Sequence, residues 1–474
     1  MSCCDVYLTP YLAKEQITSG TLAYAVGMGK AVVSTPYWYA EELLSDSRGV
    51  LVDFNDVKGM AEALNHLIAD PIRRNKMRKA AYEYGRTMVW REVGRQYVEM
   101  FLQMLSERKD LEVRSAWKPK MLPVITLPEV NLDHLRSLSD DVGLLQHACF
   151  GIPDRDHGYS ADDVGRGLAA LMTCYNQQKD EQILPLIRTY VSFLNHSQTE
   201  TGHFHNFMSY DRRFRDDQGS DDTLGRIMWG LGTVVRWGPK EQIRALAQNM
   251  MAKAAPRILE LDAPRAKAYA IIGMYHLLRK FEGASQFKRL LIQLADDLVS
   301  LYKGNKTADW QWFEDVIAYG NAKIPEALLR AYEATQCEEY REVALESLDF
   351  ITKEQLNGVY FELIGNEGWY PKGGERALFG QQPIDAGYLV EAYVAASEVT
   401  DAHKYLELAW LAFEWFLGRN RLNAALYDFA DGSVADGIDS NGISANQGAE
   451  SVVCYLLAVL GLSELKAQRI QATK

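Results

Sequence analysis

The stretch GSDDTLGRIMWGLG, residues 219–232, places two acids and an arginine at the opening of an apolar helical run. The same pattern returns at five other places in the chain. The sequence therefore predicts six helices of one kind, each entered through polar residues. The other five segments begin at Gly158, Leu261, Tyr319, Gln381 and Ala445.

A second helical stretch is expected to pair with each of these helices. Twelve helices in six pairs predict a closed (α/α)6 barrel, an all-α toroid, over residues 132–474. The loops that enter the inner helices are mostly long and rich in aromatic and amide residues, so we expect a binding site at that mouth. The partner stretches are about 181–196, 240–253, 285–302, 340–352, 403–416 and, ahead of the first inner helix, 132–147.

The composition limits the classes of partner. With 63 acidic and 51 basic residues the net charge is -12, and no basic patch suggests nucleic acid. Neither a leader pattern nor an apolar run long enough for a membrane span stands out, so we expect a cytoplasmic protein. The six cysteines show no CxxC spacing and are expected to be buried thiols in a reducing compartment.

Residues 1–105 have a different pattern of predicted secondary structure. Short β-branched runs at Asp5, Ala31 and Gly49 alternate with helical stretches, which predicts an α/β region with a parallel sheet. A charged run followed by Pro119, Pro123 and Pro128 predicts a linker over residues 106–131.

This first region resembles the end of the nucleotide-sugar-binding domain of family 4 retaining glycosyltransferases of GT-B fold. The likeness rests on Gly29-Lys30 before an apolar strand, the Gly-x-Leu-Val strand from Gly49 and the Asp-x4-Ala-x-Ala-Leu helix from Asp56. It implies a partial Rossmann-like domain, with a nucleotide sugar as donor substrate rather than a bound cofactor. Since the likeness begins at what would be the fourth strand of that domain, it also implies a missing N-terminal GT-B half.

The resemblance implies a donor site around one helix start, where backbone N–H groups favour a diphosphate. The family has a Glu-x7-Glu pair here, but Gln16 and Tyr24 stand at those positions when Gly29-Lys30 is the anchor. A shift by one residue would bring Glu15 into the first position and Ala23 into the second. The implied donor-binding residues are Glu15, Gln16, Ser19, Gly20 and Tyr24.

Four acids are candidates for catalysis in the toroid. Asp222, Glu314, Asp385 and Glu450 all fall at the mouth, and paired carboxyl groups across a cleft are what glycosidic chemistry uses. Each could instead be a helix cap or a buried ion-pair partner. Asp162 and Asp221 are expected to be caps, and Arg226 to pair with Asp222 one helical turn away.

Candidate substrate contacts come from the same loops. Flat aromatics suit the apolar faces of sugar rings, whereas Trp229 is expected to belong to the core because apolar residues surround it in the helix. His203 and His205 are spaced like metal ligands but lack an evident third ligand, so no metal site is predicted. The candidate contacts are Trp310, Trp312, Trp369, Arg226, Gln381, Gln382 and Asn446.

The toroid resembles the barrels of N-acylglucosamine 2-epimerases and of glycoside hydrolases in architecture, without a matching catalytic signature. The segments WQWFED, GQQPIDA and NQGAES also resemble a C-terminal extension of some family 4 glycosyltransferases. The leading interpretation is a glycosyltransferase-like protein that moves a hexose from a nucleotide sugar to a glycan. The alternatives are a hydrolase or epimerase acting in the toroid, and a non-catalytic glycan-binding module.

Overall fold

The computed structural model describes residues 3–111 and 127–472. The chain divides into two compact units, Met1–Ile125 and Thr126–Lys474. Most of the expected linker, 106–131, lies outside the described residues. Within the described residues, no helix is both long and apolar enough to cross a bilayer.

The first unit contains a small parallel sheet. Its three strands lie in the order β1, β2, β3, with Val6 opposite Ala31 and Val33 opposite Val50. The parallel strands predicted from the sequence are present, but a sheet this small does not show a Rossmann-like domain. The strands are β1 (Val6–Thr9), β2 (Ala31–Ser34) and β3 (Val50–Leu51), and the helices are α1 (Gly20–Gly27), α2 (Trp38–Leu43), α3 (Val57–Ala69), α4 (Pro71–Gly85) and α5 (Trp90–Leu111).

The second unit is a ring of helices. In the described part of the chain, six long helices form its inside, each packed on the next and the last on the first. This confirms the predicted toroid. The inner helices are α7 (Ala161–Gln178), α9 (Asp221–Trp237), α11 (Pro264–Lys280), α13 (Lys323–Thr335), α15 (Pro383–Thr400) and α17 (Ala449–Ala472), and the chain preceding α7 contains α6 (Asp133–Ser137).

Outer helices run back between the inner ones. They are α8 (Leu184–Ser197), α10 (Glu241–Ala254), α12 (Ser285–Asn305), α14 (Glu338–Gln355) and α16 (His403–Phe413). The expected sixth partner over 132–147 is wrong. The Asp140 carboxylate accepts hydrogen bonds from the amides of Val142 and Gly143 and forms a turn, so the helix ends at Ser137 and a strand follows.

Short antiparallel strands decorate the loops that lead into the inner helices. The connections from inner to outer helices are short, as in 336–337 and 401–402, so the ring has one elaborated end. We call this end the mouth. The strands are β4 (Leu145–Cys149), β5 (Ile152–Ser160), β6 (Phe207–Met208), β7 (Val316–Ile317), β8 (Tyr370–Pro371), β9 (Ile438–Asp439) and β10 (Gly442–Ile443).

The cysteines are not all buried. Cys174 and Cys454 are buried, whereas Cys3 and Cys149 are exposed. The expectation of buried thiols is therefore wrong for the last two. Cys149 ends strand β4 at the rim of the mouth.

Glycines let three inner helices touch backbone to backbone. A Cβ atom added to Gly232 of α9 would lie 2.1 Å from the carbonyl oxygen of Gly273 in α11. A Cβ atom on Gly230 would lie 2.3 Å from the carbonyl oxygen of Gly165 in α7. Real Cβ atoms do not approach so closely, so the spacing of the ring depends on these glycines.

We therefore expect Gly232→Ala to lower the free energy of unfolding by about 1–3 kcal/mol, because α9 and α11 would be forced apart. The matched control is Gly304→Ala in outer helix α12, where an added Cβ meets nothing within 4 Å. That control should be neutral or more stable by up to about 1 kcal/mol, since alanine favours helix. Urea denaturation followed by circular dichroism measures both, and equal midpoints for the two variants would contradict the packing argument.

Candidate functional site

Serines, not aspartates, cap the first two inner helices. Ser160 Oγ accepts a hydrogen bond from the Asp163 amide at 3.2 Å, and Ser220 Oγ accepts one from the Thr223 amide at 3.3 Å. The prediction that Asp162 and Asp221 are caps is therefore wrong. Their carboxylates are left available for tertiary partners.

Asp221 is structural. Its Oδ2 accepts hydrogen bonds from the amides of Asp262 and Ala263, at 2.8 and 3.1 Å, and so fixes the loop that enters α11. Asp216 plays a similar part, because its carboxylate accepts from the amides of Asn206 and Phe207 at 2.7 and 2.8 Å. These two acids hold the walls of the mouth in place.

Arg226 joins the starts of α7 and α9. Its Nη2 lies 3.3 Å from Asp222 Oδ2, which is the pair expected from the sequence, and its Nη1 lies 2.8 Å from Asp162 Oδ2. The arginine side chain is only 7% exposed, so both contacts are made largely out of water. One guanidinium therefore bridges two carboxylates from neighbouring helices.

Arg166 makes a second bridge, between α7 and α17. Its Nη1 lies 2.6 Å from Glu450 Oε2, and its Nη2 contacts Asp163 and lies 3.8 Å from Asp162. Sequence reasoning missed Arg166. The signal was present, because Asp-x-x-Gly-Arg occurs both at 162–166 and at 222–226.

Arg265 of α11 makes the third bridge. Its Nη1 lies 2.8 Å from Glu314 Oε2, and its Nη2 donates to Asn321 Oδ1 at 3.1 Å. The amide of Asn321 in turn donates to Asp385 Oδ1 at 3.4 Å. Sequence reasoning missed Arg265 and Asn321, since single polar residues outside a repeated motif carry no local signal.

Tyr319 connects the third bridge to the first. Its hydroxyl donates to Asp222 Oδ2 at 2.9 Å, and its carbonyl oxygen accepts a hydrogen bond from Arg265. The acids predicted at the mouth thus lie in one polar network that passes through three buried arginines. Whether they act on a substrate stays a prediction.

Neighbouring carboxyl groups in this network differ in protonation. Burial alone would raise the pKa of Asp162, but Arg226 and Arg166 outweigh it and hold the pKa below its usual value. Burial raises the pKa of Asp163 to about 7, against the opposing charge of Arg166. It likewise raises that of Asp385 to about 7, against Arg265. Near neutral pH the mouth therefore holds ionised and protonated carboxyl groups together.

A pocket of about 440 Å³ opens between the starts of α7, α9 and α11. Asp222 is the predicted catalytic acid that lines it. The other three predicted acids do not line it. Glu314 contacts Arg265, Glu450 contacts Arg166, and Asp385 accepts a hydrogen bond from Asn321. Its polar lining includes Asp162, Asn206, Asp216, Asp222, Arg226 and Tyr319.

Four of the predicted sugar contacts are buried, and three of them, unlike Arg226, do not line the pocket. Trp310 is 4% exposed and Trp312 is 0% exposed, and the indole of Trp310 donates to the carbonyl oxygen of Glu314 at 2.7 Å. Gln381 is also 0% exposed, and its amide bonds Glu362 and Trp415. These three side chains are therefore not accessible to a substrate in this structure, because the loops that carry them fold over the helices and become core.

Other predicted contacts remain accessible to different degrees. Trp369 is half-buried, and its ring centroid lies 6.2 Å from that of Tyr319. Gln382 precedes α15 without capping it by its side chain. Asn446 accepts from the Ala148 amide at 3.1 Å and contacts His147, so it ties the entry of α17 to strand β4.

An aromatic plug fills the barrel axis below the mouth. We use this name for Trp229, Tyr269 and Tyr388, whose ring centroids lie 6.0–6.2 Å apart. Trp229 is 3% exposed, as expected of a core residue. Arg226 lies on one side of the plug, 5.2 Å above the Tyr269 ring, and buried Lys323 contacts the plug 4.0 Å from the Trp229 centroid.

The implied donor site in the first unit is a solvent-facing turn. Ser19 Oγ caps α1 by accepting from the Leu22 amide at 3.3 Å, and Gly20 is the first residue of that helix. Gln16 donates to the Thr18 carbonyl oxygen at 2.7 Å, while Glu15 and Tyr24 are exposed. Donor binding by these residues remains a prediction.

The two spaced histidines have ordinary partners. His205 Nδ1 lies 2.7 Å from the Asp216 carbonyl oxygen, and His203 Nε2 lies 3.6 Å from Glu260. Over residues 3–111 and 127–472, no group of three or more His, Cys, Asp or Glu side chains is arranged to hold a metal ion.

Comparison with known proteins shows the fold of the toroid. No protein-family model and no curated protein matches the chain. A sugar epimerase from a ruminal bacterium matches with 13% identity and a TM-score of 0.58, over 72% of this chain and 97% of that one. Cellobiose 2-epimerase from Bacillus thermoamylovorans matches with 14% identity and a TM-score of 0.57, over 71% and 96%.

A glycoside hydrolase shares the same architecture. The GH76A alpha-1,6-mannanase from a Salegentibacter species matches with 12% identity and a TM-score of 0.51, over 70% of this chain and 96% of that one. At these identities the likeness shows the fold alone. None of the comparisons supports the resemblance of residues 1–105 to a GT-B donor domain.

The raised pKa of Asp385 predicts a specific dependence of stability on pH. Between about pH 4 and 7 the folded protein keeps a proton on this carboxyl group that the unfolded chain releases, so its contribution to stability falls as pH rises through that window. An asparagine keeps the shape and cannot ionise. Relative to the parent, we expect Asp385→Asn to gain stability between pH 5 and pH 8, by on the order of 3 kcal/mol.

Urea denaturation at the two pH values measures that difference. The control is Asp309→Asn, an exposed aspartate whose replacement should shift stability equally at both pH values. An Asp385→Asn variant that tracks the parent at both would show that Asp385 is ionised throughout.

Proposed function

We propose that the toroid is a carbohydrate-active enzyme that hydrolyses glycosidic bonds in the mouth pocket. The observation that carries this is the pair Asp162 and Asp222, two carboxyl groups that line one pocket and share the guanidinium of Arg226. Glycosidases use two carboxyl groups about 5–9.5 Å apart across a cleft, and Asp162 and Asp222 are two carboxyl groups that line one pocket.

The two carboxyl groups have different surroundings. Asp162 contacts both Arg226 and Arg166, which keep it ionised, so it is suited to act as base or nucleophile. Asp222 contacts only Arg226 of these two arginines and accepts a hydrogen bond from the hydroxyl of Tyr319, so it is the second carboxyl group that the pocket offers to a substrate. The half-buried Trp369 beside Tyr319 offers an aromatic face to a sugar ring.

A likeness in the fold neighbours agrees with this assignment. A variant of the Salegentibacter mannanase with two adjacent aspartates replaced is described as inactive. This chain carries adjacent aspartates at the start of two inner helices, Asp162-Asp163 and Asp221-Asp222. Asp162 of the first pair and both aspartates of the second line the mouth pocket. Each pair is followed by the Gly-Arg step that supplies an arginine bridge.

A screen of aryl glycosides and oligosaccharides tests the proposal. For whichever substrate the parent cleaves, we expect Asp162→Asn and Asp222→Asn to lower kcat by at least about 100-fold, because a paired carboxyl group is lost. The thermal midpoints should stay near that of the parent. Asp217→Asn, an exposed aspartate of the same entry loop, is the matched control and should keep parental kcat.

Two results would count against hydrolysis. Parental kcat in both variants would remove Asp162 and Asp222 from the chemistry. Glycan binding without turnover in the parent would favour the binding-module alternative. Transfer from a nucleotide sugar, the leading interpretation of the sequence, is less well supported than hydrolysis or epimerisation, because the comparisons point to toroid enzymes alone.

Epimerisation is the second candidate, and a histidine pair favours it. The rings of His147 and His157 lie 4.3 Å apart on strands β4 and β5, and His147 contacts Asn446 at the entry of α17. An imidazole can take a proton from a carbon next to a carbonyl group and return it on the other face. Deuterium incorporation from D2O into an uncleaved sugar, lost in His147→Gln and kept in Asp222→Asn, would establish this reaction in place of hydrolysis.

A further inference from the structure

A second cavity lies at the opposite end of the toroid. It has a volume of about 380 Å³ and is formed by the carboxyl-terminal halves of inner helices. Arg226 lines the mouth pocket, whereas Trp229 and Arg236 of the same helix line this second cavity. The aromatic plug therefore lies between them, and the second cavity is a separate compartment.

Most charged groups in its wall are already paired. The wall acids Glu326 and Glu391 are paired with Lys323, whose Nζ lies 2.8 Å from the first and 2.9 Å from the second. Arg330 Nη1 lies 2.7 Å from Glu333 and 2.8 Å from Glu398. Each of these cations thus contacts two carboxylates.

Arg236 and Arg279 are different. Arg236 Nη1 lies 3.1 Å from Nδ1 of His276, and no carboxylate in the described part of the chain forms an ion pair with either arginine. Burial, together with the charges of Arg279 and Arg330, lowers the pKa of Arg236. Burial also lowers the pKa of His276 well below its usual range, so the imidazole is neutral and accepts from Arg236. Two guanidinium groups therefore line one cavity, and the side-chain hydrogen-bond partner of Arg236 there is a neutral imidazole.

The remaining acid of the wall, Glu464, forms no ion pair with either arginine in the described part of the chain. Burial raises the pKa of Glu464 in α17, and the charge of Glu398 raises it further. The charge of Glu464 acts on Arg236 across the cavity rather than through a direct contact. The side of the cavity formed by α9 and α11 is thus left positive.

We propose that this second cavity binds a small oxyanion, the phosphate or carboxylate group of a soluble ligand, through Arg236 and Arg279. Two planar guanidinium groups present several N–H donors in the geometry that such groups accept. The Nε2–H of neutral His276 is a further donor. The site goes beyond the proposed glycosidic chemistry and does not depend on it.

Isothermal titration calorimetry of the full chain tests the proposal in two arms. Inorganic phosphate is the probe in one arm and citrate in the other, and the arm with the tighter binding identifies the preferred oxyanion. We expect binding at a single site, weakened at least about tenfold by Arg236→Gln and by Arg279→Gln. Arg188→Gln, an exposed arginine of outer helix α8, makes the same charge change and should bind as the parent does.

Folding can be separated from binding. Circular dichroism and the thermal midpoint report the fold of each variant, and Arg279 is exposed at the rim, so its replacement decides the question even if Arg236→Gln unfolds. The proposal is overturned if neither probe binds the parent up to about 10 mM. It is also overturned if the Arg279 variant binds both probes as tightly as the parent, since the ion would then lie elsewhere.

Discussion

The backbone contact between the inner helices is the constraint on which the toroid depends. Gly165, Gly230, Gly232 and Gly273 bring α7, α9 and α11 so close that carbonyl oxygens occupy the space a Cβ atom would need. A ring this tight leaves room along the axis for aromatic rings and paired charges only. Buried side chains there must find partners within the ring, because water is largely excluded. The aromatic plug and the arginine bridges follow from this narrow interior.

Charge pairing in the interior follows a repeated arrangement, in which one cation contacts two carboxyl groups. Arg226 and Arg166 do so at the mouth, and Lys323 and Arg330 do so beyond the plug. One positive charge cannot favour ionisation of two buried acids equally. Burial accordingly raises the pKa of Asp163 to about 7 while the arginines hold that of Asp162 low. The splitting of protonation states, which acid–base chemistry requires, is thus a consequence of how the ring buries its charges.

The sequence predicted the ring well because helical periodicity is a local signal that survives in each segment. It failed where burial depends on long-range folding. Trp310 and Trp312 lie in a polar loop that closes over α14 and becomes core, and nothing in the local pattern records that packing. The sequence predicted only part of the arginine bridges. The pair of Asp222 with Arg226 follows from helical spacing, but the partner Asp162 is supplied by another helix. The likeness of the first unit to a donor domain rested on short motifs, and a three-stranded sheet does not decide it.

Helix dipoles explain part of the distribution of charged residues along the inner helices. The remaining charged contacts need another explanation. All inner helices begin at the mouth, so acids near their first turns and arginines near their last turns are favoured by the dipoles alone. Asp163, Asp385 and Glu450 fit that account, as does Arg279 in the last turn of α11. The dipole does not explain why Asp162 reaches across to the arginine of the next helix, nor why Arg236 is half-buried against a neutral histidine. Those two contacts cost desolvation that a solvent-facing side chain would avoid. A bound ligand would account best for these two contacts, one at the mouth and one in the second cavity.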